Sequence, residues 1–372
     1  MHISSAFDSG NIEVLDASDP TDITLAIRPD AGGDHLQWFH FRVSGVRGVP
    51  LRMRITNAEA ASYPTAWDGY RTATSYDRET WFRCDTAYVD KELVIEHTPE
   101  HDTVHFAYFA PYSRERHLDL IADAQVVDGA RVEVLGQTVD GRDLELITVG
   151  DGPLALWLIA RQHPGESMAE WWMEGFLGRL LDHDDALARL LLSRATFYVV
   201  PNMNPDGSSR GHLRNNAAGA NLNREWHEPT MARSPEVKLV RDRMDATGVD
   251  FCLDVHGDEE LPYNFISGAE GIAGWTDEMG RLQSGFIDAL IAANPDFQQE
   301  YGYGISKPGE ANMTMCTNQI AQRFGCLAMT LEQPFKDAAN HPSPEQGWSP
   351  PRAMALGASA LNGIAAIIGS LR

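Results

Sequence analysis

A short, strongly apolar run at residues 154–159 constrains the fold more than any other stretch of the chain. It is rich in Leu, Ile and Trp, Gly152 precedes it and Pro164-Gly165 follows it, a pattern that predicts a buried strand. Comparable runs recur at residues 195–200, 251–255 and 326–331. Apolar residues at helical spacing predict helices between and after these runs, at residues 167–182, 186–193, 235–247, 277–293, 313–324 and 352–371. This alternation predicts an α/β fold, with a mixed and mostly parallel sheet flanked by helices on both faces.

The first 125 residues show a different pattern, in which turn residues separate short alternating or aromatic-rich runs. These runs predict strands at residues 23–27, 37–43, 51–55, 93–97 and 103–109. Turn signals such as Asp30-Ala31-Gly32-Gly33 between them are typical of a small antiparallel sandwich. We therefore expect an antiparallel β-sandwich domain at residues 1–125 and a larger α/β domain at residues 126–372.

Charge and cysteine content narrow the class of protein. The formal net charge of −23 argues against nucleic acid or an anionic membrane as a partner, because phosphate binding requires a basic surface. The four cysteines show no close paired spacing and are expected to be free thiols in a reducing cytosol. No basic segment followed by an apolar run opens the chain, and no apolar stretch approaches about 18 residues. These features predict a soluble cytoplasmic protein without a transmembrane helix, whose oligomeric state the sequence leaves open.

His163 and Glu166 follow the first buried strand, at the position where an open α/β sheet presents its ligands. Both are standard zinc-ligand types, but His97 and Glu100 have the same spacing and also follow a predicted strand. His256 favours the first pair, because it too follows a buried strand, at residues 251–255. Three protein ligands would leave a fourth zinc position open for water, which is the arrangement of hydrolytic zinc sites.

A long polar segment, residues 201–226, follows the strand at 195–200 and contains the turn signal Asn204-Pro205-Asp206-Gly207. Structureless loops of more than about 20 residues are uncommon in compact domains unless they are functional. The segment is rich in asparagine and arginine, the donors that bind carboxylate and polarised carbonyl oxygens. Glu332 ends the last predicted strand, where a carboxylate beside a metal site can act as a general base.

Together these motifs resemble the M14 zinc carboxypeptidases, and more narrowly the cytosolic carboxypeptidase subfamily, over nearly the whole chain. The residues that carry the resemblance are, in this order, His163-Pro164-Gly165-Glu166, Asn204-Pro205-Asp206-Gly207, Arg214, Asn223-Arg224, His256 and Glu332. The subfamily has a β-sandwich before its catalytic domain, and segments 37–41 and 109–113 resemble that sandwich. The resemblance implies a zinc carboxypeptidase catalytic domain at residues 126–372.

The resemblance also implies a role for each matching residue. His163, Glu166 and His256 would bind one Zn²⁺ per chain. Glu332 would be the general base, and Arg214 would polarise the scissile carbonyl and hold the developing oxyanion.

Asn223 and Arg224 would hold the terminal carboxylate of the substrate. A free carboxylate is the bidentate target that arginine fits best, so this grip would make the enzyme an exopeptidase. Subfamily relatives remove acidic residues, notably glutamate, which requires a basic group in the side-chain pocket. Lys307 and Arg323 are the cations nearest in sequence to the region that would supply it, although residues of both types usually lie at the surface.

One position departs from the family pattern, and a second residue of the pattern cannot be assigned from spacing. The family usually has an aspartate two residues before the Asn-Arg pair, as partner to a zinc-ligand histidine, and here that position is Asn221. We expect weaker, but not abolished, zinc affinity, because asparagine accepts the imidazole N–H without a charge. The family also has a mobile active-site tyrosine, for which Tyr263, Tyr301 and Tyr303 are equal candidates.

The sequence therefore predicts a zinc-dependent metallocarboxypeptidase that hydrolyses the C-terminal bond of peptides or protein tails. One alternative is a zinc amidohydrolase that deacylates small N-acyl amino acids, which would share the zinc ligands. The sandwich domain and the Asn-Pro-Asp-Gly segment argue against that alternative. A second alternative is a non-catalytic peptide-binding protein, against which the presence of Glu332, Arg214 and all three ligands argues.

Overall fold

The structure, a computed structural model, describes residues 1–371 and begins with a sandwich of two sheets. Its ten strands are β1 (His2–Ser4), β2 (Glu13–Asp16), β3 (Ile23–Ala26), β4 (His40–Ser44), β5 (Leu51–Ile55), β6 (Ala73–Ser75), β7 (Phe82–Arg83), β8 (Asp85–Val89), β9 (Glu92–His97) and β10 (Thr103–Ala107). They form two five-stranded sheets, in the orders β1-β4-β10-β6-β7 and β2-β3-β5-β9-β8. The predicted sandwich is confirmed, although β3 and β5 pair in parallel.

The five strands that the sequence did not predict are β1, β2, β6, β7 and β8. Each has at most five residues, and β1, β2, β7 and β8 lie at or next to a sheet edge. All four residues of β2 are exposed, so no alternation of apolar and polar residues marks it. Short edge strands thus escape a pattern that depends on one buried face.

The second region contains a seven-stranded sheet with helices on both faces. Its strands are β11 (Ala130–Gln137), β12 (Asp143–Val149), β13 (Leu154–Ala160), β14 (Ala195–Val200), β15 (Phe251–Val255), β16 (Phe265–Ser267) and β17 (Leu327–Glu332). Its helices are α1 (Arg114–Gln125), α2 (Met168–Leu180), α3 (Ala186–Arg194), α4 (Pro205–Arg210), α5 (Pro235–Thr247), α6 (Asp277–Ala293), α7 (Cys316–Phe324) and α8 (Pro350–Ile367).

The sheet order is β11-β12-β14-β13-β15-β17-β16, and the predicted mixed sheet is confirmed. The four central strands β14, β13, β15 and β17 are parallel to one another, whereas β11, β12 and β16 add antiparallel edges. Since parallel strands point the same way, the C-terminal ends of the four central strands share one edge.

The side chains of β13 show why helices cover both faces of the sheet. Leu156 and Leu158 belong to the core beneath α2, α6 and α8, whereas Trp157 and Ile159 belong to the core beneath α5 and α7. Successive residues of a strand point to opposite faces, so an uninterrupted apolar run needs an apolar cover on each side.

The last helix is apolar enough to need explanation. By length and composition the stretch Pro350–Ser370 could span a membrane, a feature that the sequence analysis did not anticipate. In the structure α8 packs against α2 and α6 and buries Leu356, Leu361 and Ile364. A helix that packs against several other helices needs apolar residues on each face that makes contact, as a core helix does.

The polar segment 201–226 contains more regular structure than expected. The predicted turn at Asn204-Pro205-Asp206-Gly207 is instead the start of helix α4. Asn204 caps it by accepting the N–H of Gly207 at 3.0 Å, and Pro205 occupies the first turn, where its missing N–H costs nothing. A 3₁₀ turn, Leu222–Arg224, follows later in the segment. Regular backbone structure therefore holds the side chains of this segment, which is not a structureless loop.

Candidate active site

The candidate residues converge at the shared edge of the four parallel strands. His163 and Glu166 follow β13, His256 directly follows β15, and Glu332 is the last residue of β17. The segment that follows β14 supplies Arg214 to the same cavity. This convergence follows from the topology, because ligands of open α/β sheets bind beyond the carboxyl ends of the strands.

His163, Glu166 and His256 form a compact group in which the potential ligand atoms lie within 4.8 Å of one another. The carboxylate of Glu166 joins the two rings, with His163 Nδ1 2.6 Å from Oε1 and His256 Nδ1 2.8 Å from Oε2. All three side chains are buried. Two imidazoles and a carboxylate are a donor set that suits zinc, so the residues present fit a metal ion.

The outer nitrogen of each histidine is held by a different partner. His163 Nε2 donates to Asn221 Oδ1 at 3.0 Å, whereas His256 Nε2 donates to Asp254 Oδ2 at 3.0 Å. A neutral ring whose Nε2 carries the proton has a lone pair on Nδ1, so these bonds orient both Nδ1 atoms as ligands.

The two histidines also differ in basicity. Burial and the nearby Arg214 lower the pKa of His163 to about 4, and Glu166 opposes them. Burial also lowers the pKa of His256, but Asp254 and Glu166 outweigh it and raise that pKa well above its ordinary value. The partner at position 221 is neutral and the partner at 254 is charged, which matches this difference.

Glu332 faces the same cavity, which has a volume of about 260 Å³. Its Oε2 is buried without a hydrogen-bond partner among residues 1–371. Burial raises the pKa of Glu332 well above its ordinary value; Glu166 and Asp258 add to this, and His256 opposes it. A carboxylate with a free oxygen beside a ligand group is equipped to accept and return a proton.

Two arginines line the cavity. No side-chain hydrogen bond within residues 1–371 engages the Arg214 guanidinium, whereas Arg224 Nη1 donates to the Asn223 carbonyl oxygen at 2.6 Å. Burial and the positive charge of Arg214 both lower the pKa of Arg224. An anion bound between the guanidinium groups would offset that repulsion, as a substrate carboxylate would.

Comparisons with known proteins agree with this geometry. Residues 3–109 match the model of the cytosolic carboxypeptidase N-terminal domain, and residues 123–265 match that of the zinc carboxypeptidases. A Pseudomonas aeruginosa metallo-carboxypeptidase, solved in complex with (2-guanidinoethylmercapto)succinic acid, is 48% identical and has a TM-score of 0.97, with 100% of both chains covered. The chain belongs to the M14 zinc carboxypeptidase family.

Other carboxypeptidases extend the comparison. The metallo-carboxypeptidase of Burkholderia cenocepacia is 46% identical, with a TM-score of 0.97 and 100% of both chains covered. Bovine cytosolic carboxypeptidase 3 is 27% identical over 303 residues, which are 71% of this chain but 30% of that protein. As a member of this family, the chain is a metallocarboxypeptidase, a metal-dependent hydrolase of peptides.

Of the three tyrosines considered for the carboxypeptidase site, only Tyr303 lines the cavity, and its hydroxyl donates to Asp258. Tyr263 and Tyr301 instead stack on each other, with ring centroids 4.6 Å apart. Sequence spacing could not distinguish them, because the choice depends on how the exposed segment around residue 303 folds back.

The two cations considered for the side-chain pocket lie elsewhere. Arg323 forms a bidentate ion pair with Asp245 on the outer surface of α7, at 2.7 and 2.8 Å. Lys307 is exposed and does not line the cavity. Neither position therefore supports recognition of an acidic side chain.

His97 and Glu100 do not form a metal-ligand group with a third residue among residues 1–371. His97 Nε2 lies 2.9 Å from the Tyr76 hydroxyl, and Glu100 is exposed. No third ligand type joins them into a metal-type group within residues 1–371. The same spacing after a strand is thus a surface feature of the sandwich here.

Several groups at the carboxypeptidase site escaped the sequence analysis. Asp254, the partner of His256, is one of them, although two-residue spacing along a strand places both residues on one face. Tyr63 reaches the cavity from the sandwich, and Glu259 lines it as a buried carboxylate. No local signal identifies Tyr63, because its position depends on how the two regions pack.

Proposed function

We propose that this metallocarboxypeptidase uses zinc, binding one Zn²⁺ per chain through His163, Glu166 and His256. The observation that carries the proposal is the convergence of these three buried donors beside Glu332, a buried carboxylate with a free oxygen. Bound zinc would polarise the scissile carbonyl and lower the pKa of water in the site.

The other residues then have defined tasks. Glu332 takes a proton from the attacking water and later delivers it to the leaving amine. Arg214 donates hydrogen bonds to the carbonyl oxygen as negative charge develops there, which requires the free guanidinium described above. Arg224 and the amide of Asn223 hold the terminal carboxylate, and this grip restricts cleavage to the last peptide bond.

Replacing Glu332→Gln tests the proposal. We expect turnover of peptides with a free C-terminus to fall to background, while metal analysis still finds one zinc per chain, because the amide preserves shape but cannot accept the proton. Glu100→Gln, in the unrelated pair of the sandwich, is the matched control and should keep full activity. Loss of zinc together with activity, or turnover near that of the wild type, would show that the assigned role is wrong.

The two arginines also bear on the preferred terminal residue. An acidic preference, which the subfamily implies, would require Arg214 or Arg224 to contact the terminal side chain in addition to the role given above, since Lys307 and Arg323 lie elsewhere. Peptides that end in Glu, Leu or Arg test this point. A preference for Glu that Arg224→Ala abolishes would support it, and equal rates would remove it. N-acyl amino acids in the same assay test the deacylase alternative.

Three further proposals concern a ligand, the cellular location and the domain division. We expect (2-guanidinoethylmercapto)succinic acid, which the Pseudomonas aeruginosa enzyme binds, to bind here through its carboxylates. The name of the bovine relative supports a cytoplasmic location. The division into a sandwich domain, 1–125, and a catalytic domain, 126–372, is also a proposal. Helix α1, at the end of the first range, packs against β11 and β12 of the second.

A further inference from the structure

Asp30, a residue of the sandwich, holds the backbone of the segment that carries Arg214. Its Oδ1 accepts the N–H of Leu213 at 2.6 Å, and its Oδ2 accepts the N–H groups of Arg214 and Asn215, both at 2.8 Å. The Asp30 side chain is buried. Three successive backbone donors converge on one carboxylate, and charge-assisted bonds of this kind are about twice as strong as neutral ones.

The surrounding contacts bring the same two segments close together. The N–H of Ala31 donates to His212 Nε2 at 3.1 Å, and His212 Nδ1 lies 3.0 Å from the carbonyl oxygen of Asn215. A Cβ at Gly33 would lie 1.9 Å from the Asn215 side chain, and one at Gly219 would lie 2.2 Å from a sandwich carbonyl. At Gly219 the neighbouring atom is backbone and φ is +75°, so only glycine allows the approach there, and the turn 30–33 packs directly against the segment.

The sandwich also contacts the Arg214 side chain. The guanidinium carbon lies 5.7 Å from the centroid of the Tyr63 ring, within the range of a cation–π contact. Since no side-chain hydrogen bond within residues 1–371 fixes the guanidinium, its direction depends on this ring and on the backbone that Asp30 holds. Arg214 is therefore aimed at the cavity from outside the sheet that carries the metal ligands.

We propose that Asp30 is a positioning residue for the peptidase reaction, which acts by fixing Arg214 against the scissile carbonyl. The inference rests on the proposed function, in which Arg214 donates to the developing oxyanion. A displacement of about 1 Å at a catalytic group can cost about 100-fold in rate. Loss of the three hydrogen bonds at Asp30 should therefore lower the reaction rate as well as the local stability.

Asp30→Asn tests the inference, because the amide keeps the shape but turns an N–H₂ group toward backbone donors. We expect kcat to fall about 10- to 100-fold, with zinc content unchanged. Asp77→Asn is the matched control: Asp77 also accepts backbone N–H groups, from Glu79 and Thr80, but lies away from the cavity. It should leave kcat within about twofold of the wild type, as a change remote from the site does.

A double-mutant cycle with Arg214→Ala separates positioning from general destabilisation. If Asp30 acts through Arg214, Asp30→Asn should change kcat little in the Arg214→Ala background, because the interaction is already lost. The same coupling should appear in the affinity for (2-guanidinoethylmercapto)succinic acid, which needs no turnover. An equal fall in kcat in both backgrounds would overturn the inference.

Gly33→Ala provides a second route if Asp30→Asn does not fold. The added methyl displaces the Asn215 side chain and shifts the same segment without removing a charge, so we expect a smaller fall in kcat with the same coupling to Arg214→Ala. If Arg214→Ala lowers kcat but neither sandwich variant does, the inference alone fails. If Arg214→Ala itself leaves kcat unchanged, the proposed function of that arginine fails as well.

Discussion

The site combines two groups of residues that are placed by different means. His163, Glu166, His256 and Glu332 stand at the ends of parallel strands of one sheet. Arg214, Asn223 and Arg224 stand on the segment after β14, which is seated partly by contacts from other elements. Three residues of the first group, His163, Glu166 and His256, offer metal-ligand atoms, whereas the second group offers the hydrogen-bond donors that we propose bind substrate.

The two groups depend on the sandwich to different degrees. The strand-end group is fixed by the hydrogen-bonded register of β13, β15 and β17. The segment group depends on Asp30 for Arg214, and on the N–H of Cys316, which donates to Asn223 Oδ1 at 2.9 Å. We therefore expect changes of His163, Glu166 or His256 to remove the metal. Changes of Glu332, or of the second group, should affect the reaction or the substrate with the metal retained.

The largest effect is expected for His256→Ala in the strand-end group. Zinc should fall from one per chain to an undetectable level, and turnover should disappear with it, because a histidine and a carboxylate remain as the only ligands. Zinc at a thousandfold excess over its Kd should stabilise the wild-type protein by about 4 kcal/mol and this variant not at all.

His97→Ala is the control for that experiment, because His97 has the same spacing to a glutamate after a strand. It should bind zinc as the wild type does, in both metal analysis and zinc-dependent unfolding. Zinc bound at full affinity by the His256→Ala protein would contradict the ligand assignment.

Arg214→Ala should have the next largest effect, on the reaction alone. Loss of one donor to a developing oxyanion costs about 100- to 1,000-fold in kcat, so we expect a fall of that size with one zinc still bound. Steady-state kinetics and metal analysis on the same preparation check this result. If the metal is lost as well, Arg214 supports metal binding and does not belong to a separate substrate-binding group.

Arg224→Ala should act mainly on binding. Hydrogen bonds to charged groups contribute about 1.5–3 kcal/mol, which corresponds to a rise in KM of about 10- to 100-fold for peptides with a free carboxylate. A C-terminally amidated peptide is the control substrate, because it lacks the anion and should discriminate little between wild type and variant. A fall in kcat without a change in KM would instead place Arg224 at the reacting carbonyl.

The sequence placed the strand-end residues at one edge of the sheet, for a physical reason. Apolar runs identify buried strands, and the residues that follow each run lie near the sheet edge, so His163, His256 and Glu332 could be brought together without coordinates. Their agreement with known motifs then placed the chain in its family. The helix bounds were also close, since α5 and α6 coincide with the predicted ranges.

The remaining features depend on packing between distant segments. The contacts of Asp30 and Tyr63 join positions more than 150 residues apart, and no local pattern encodes them. Helix α4 was missed because an Asn-Pro-Asp-Gly sequence suits a turn as well as a helix start. Tyr303 could not be chosen over its neighbours, because all three tyrosines have the same chemistry.

Asn221 connects the two groups, because it lies on the segment and yet accepts a hydrogen bond from His163, a proposed metal ligand. Its replacement should have the smallest effect. Asn221→Asp would give His163 the charged partner that His256 already has in Asp254. Partners of ligand histidines commonly contribute about 10- to 100-fold to metal affinity, so we expect zinc to bind about tenfold tighter. Asp254→Asn is the converse change and should weaken zinc by a similar factor, with both measured by competition with a chelator. If Asn221→Asp does not raise the zinc affinity while Asp254→Asn lowers it, the charge of the histidine's partner matters only at the end of β15. The strand-end group would then bind zinc independently of the segment, although His163 and Asn221 share a hydrogen bond.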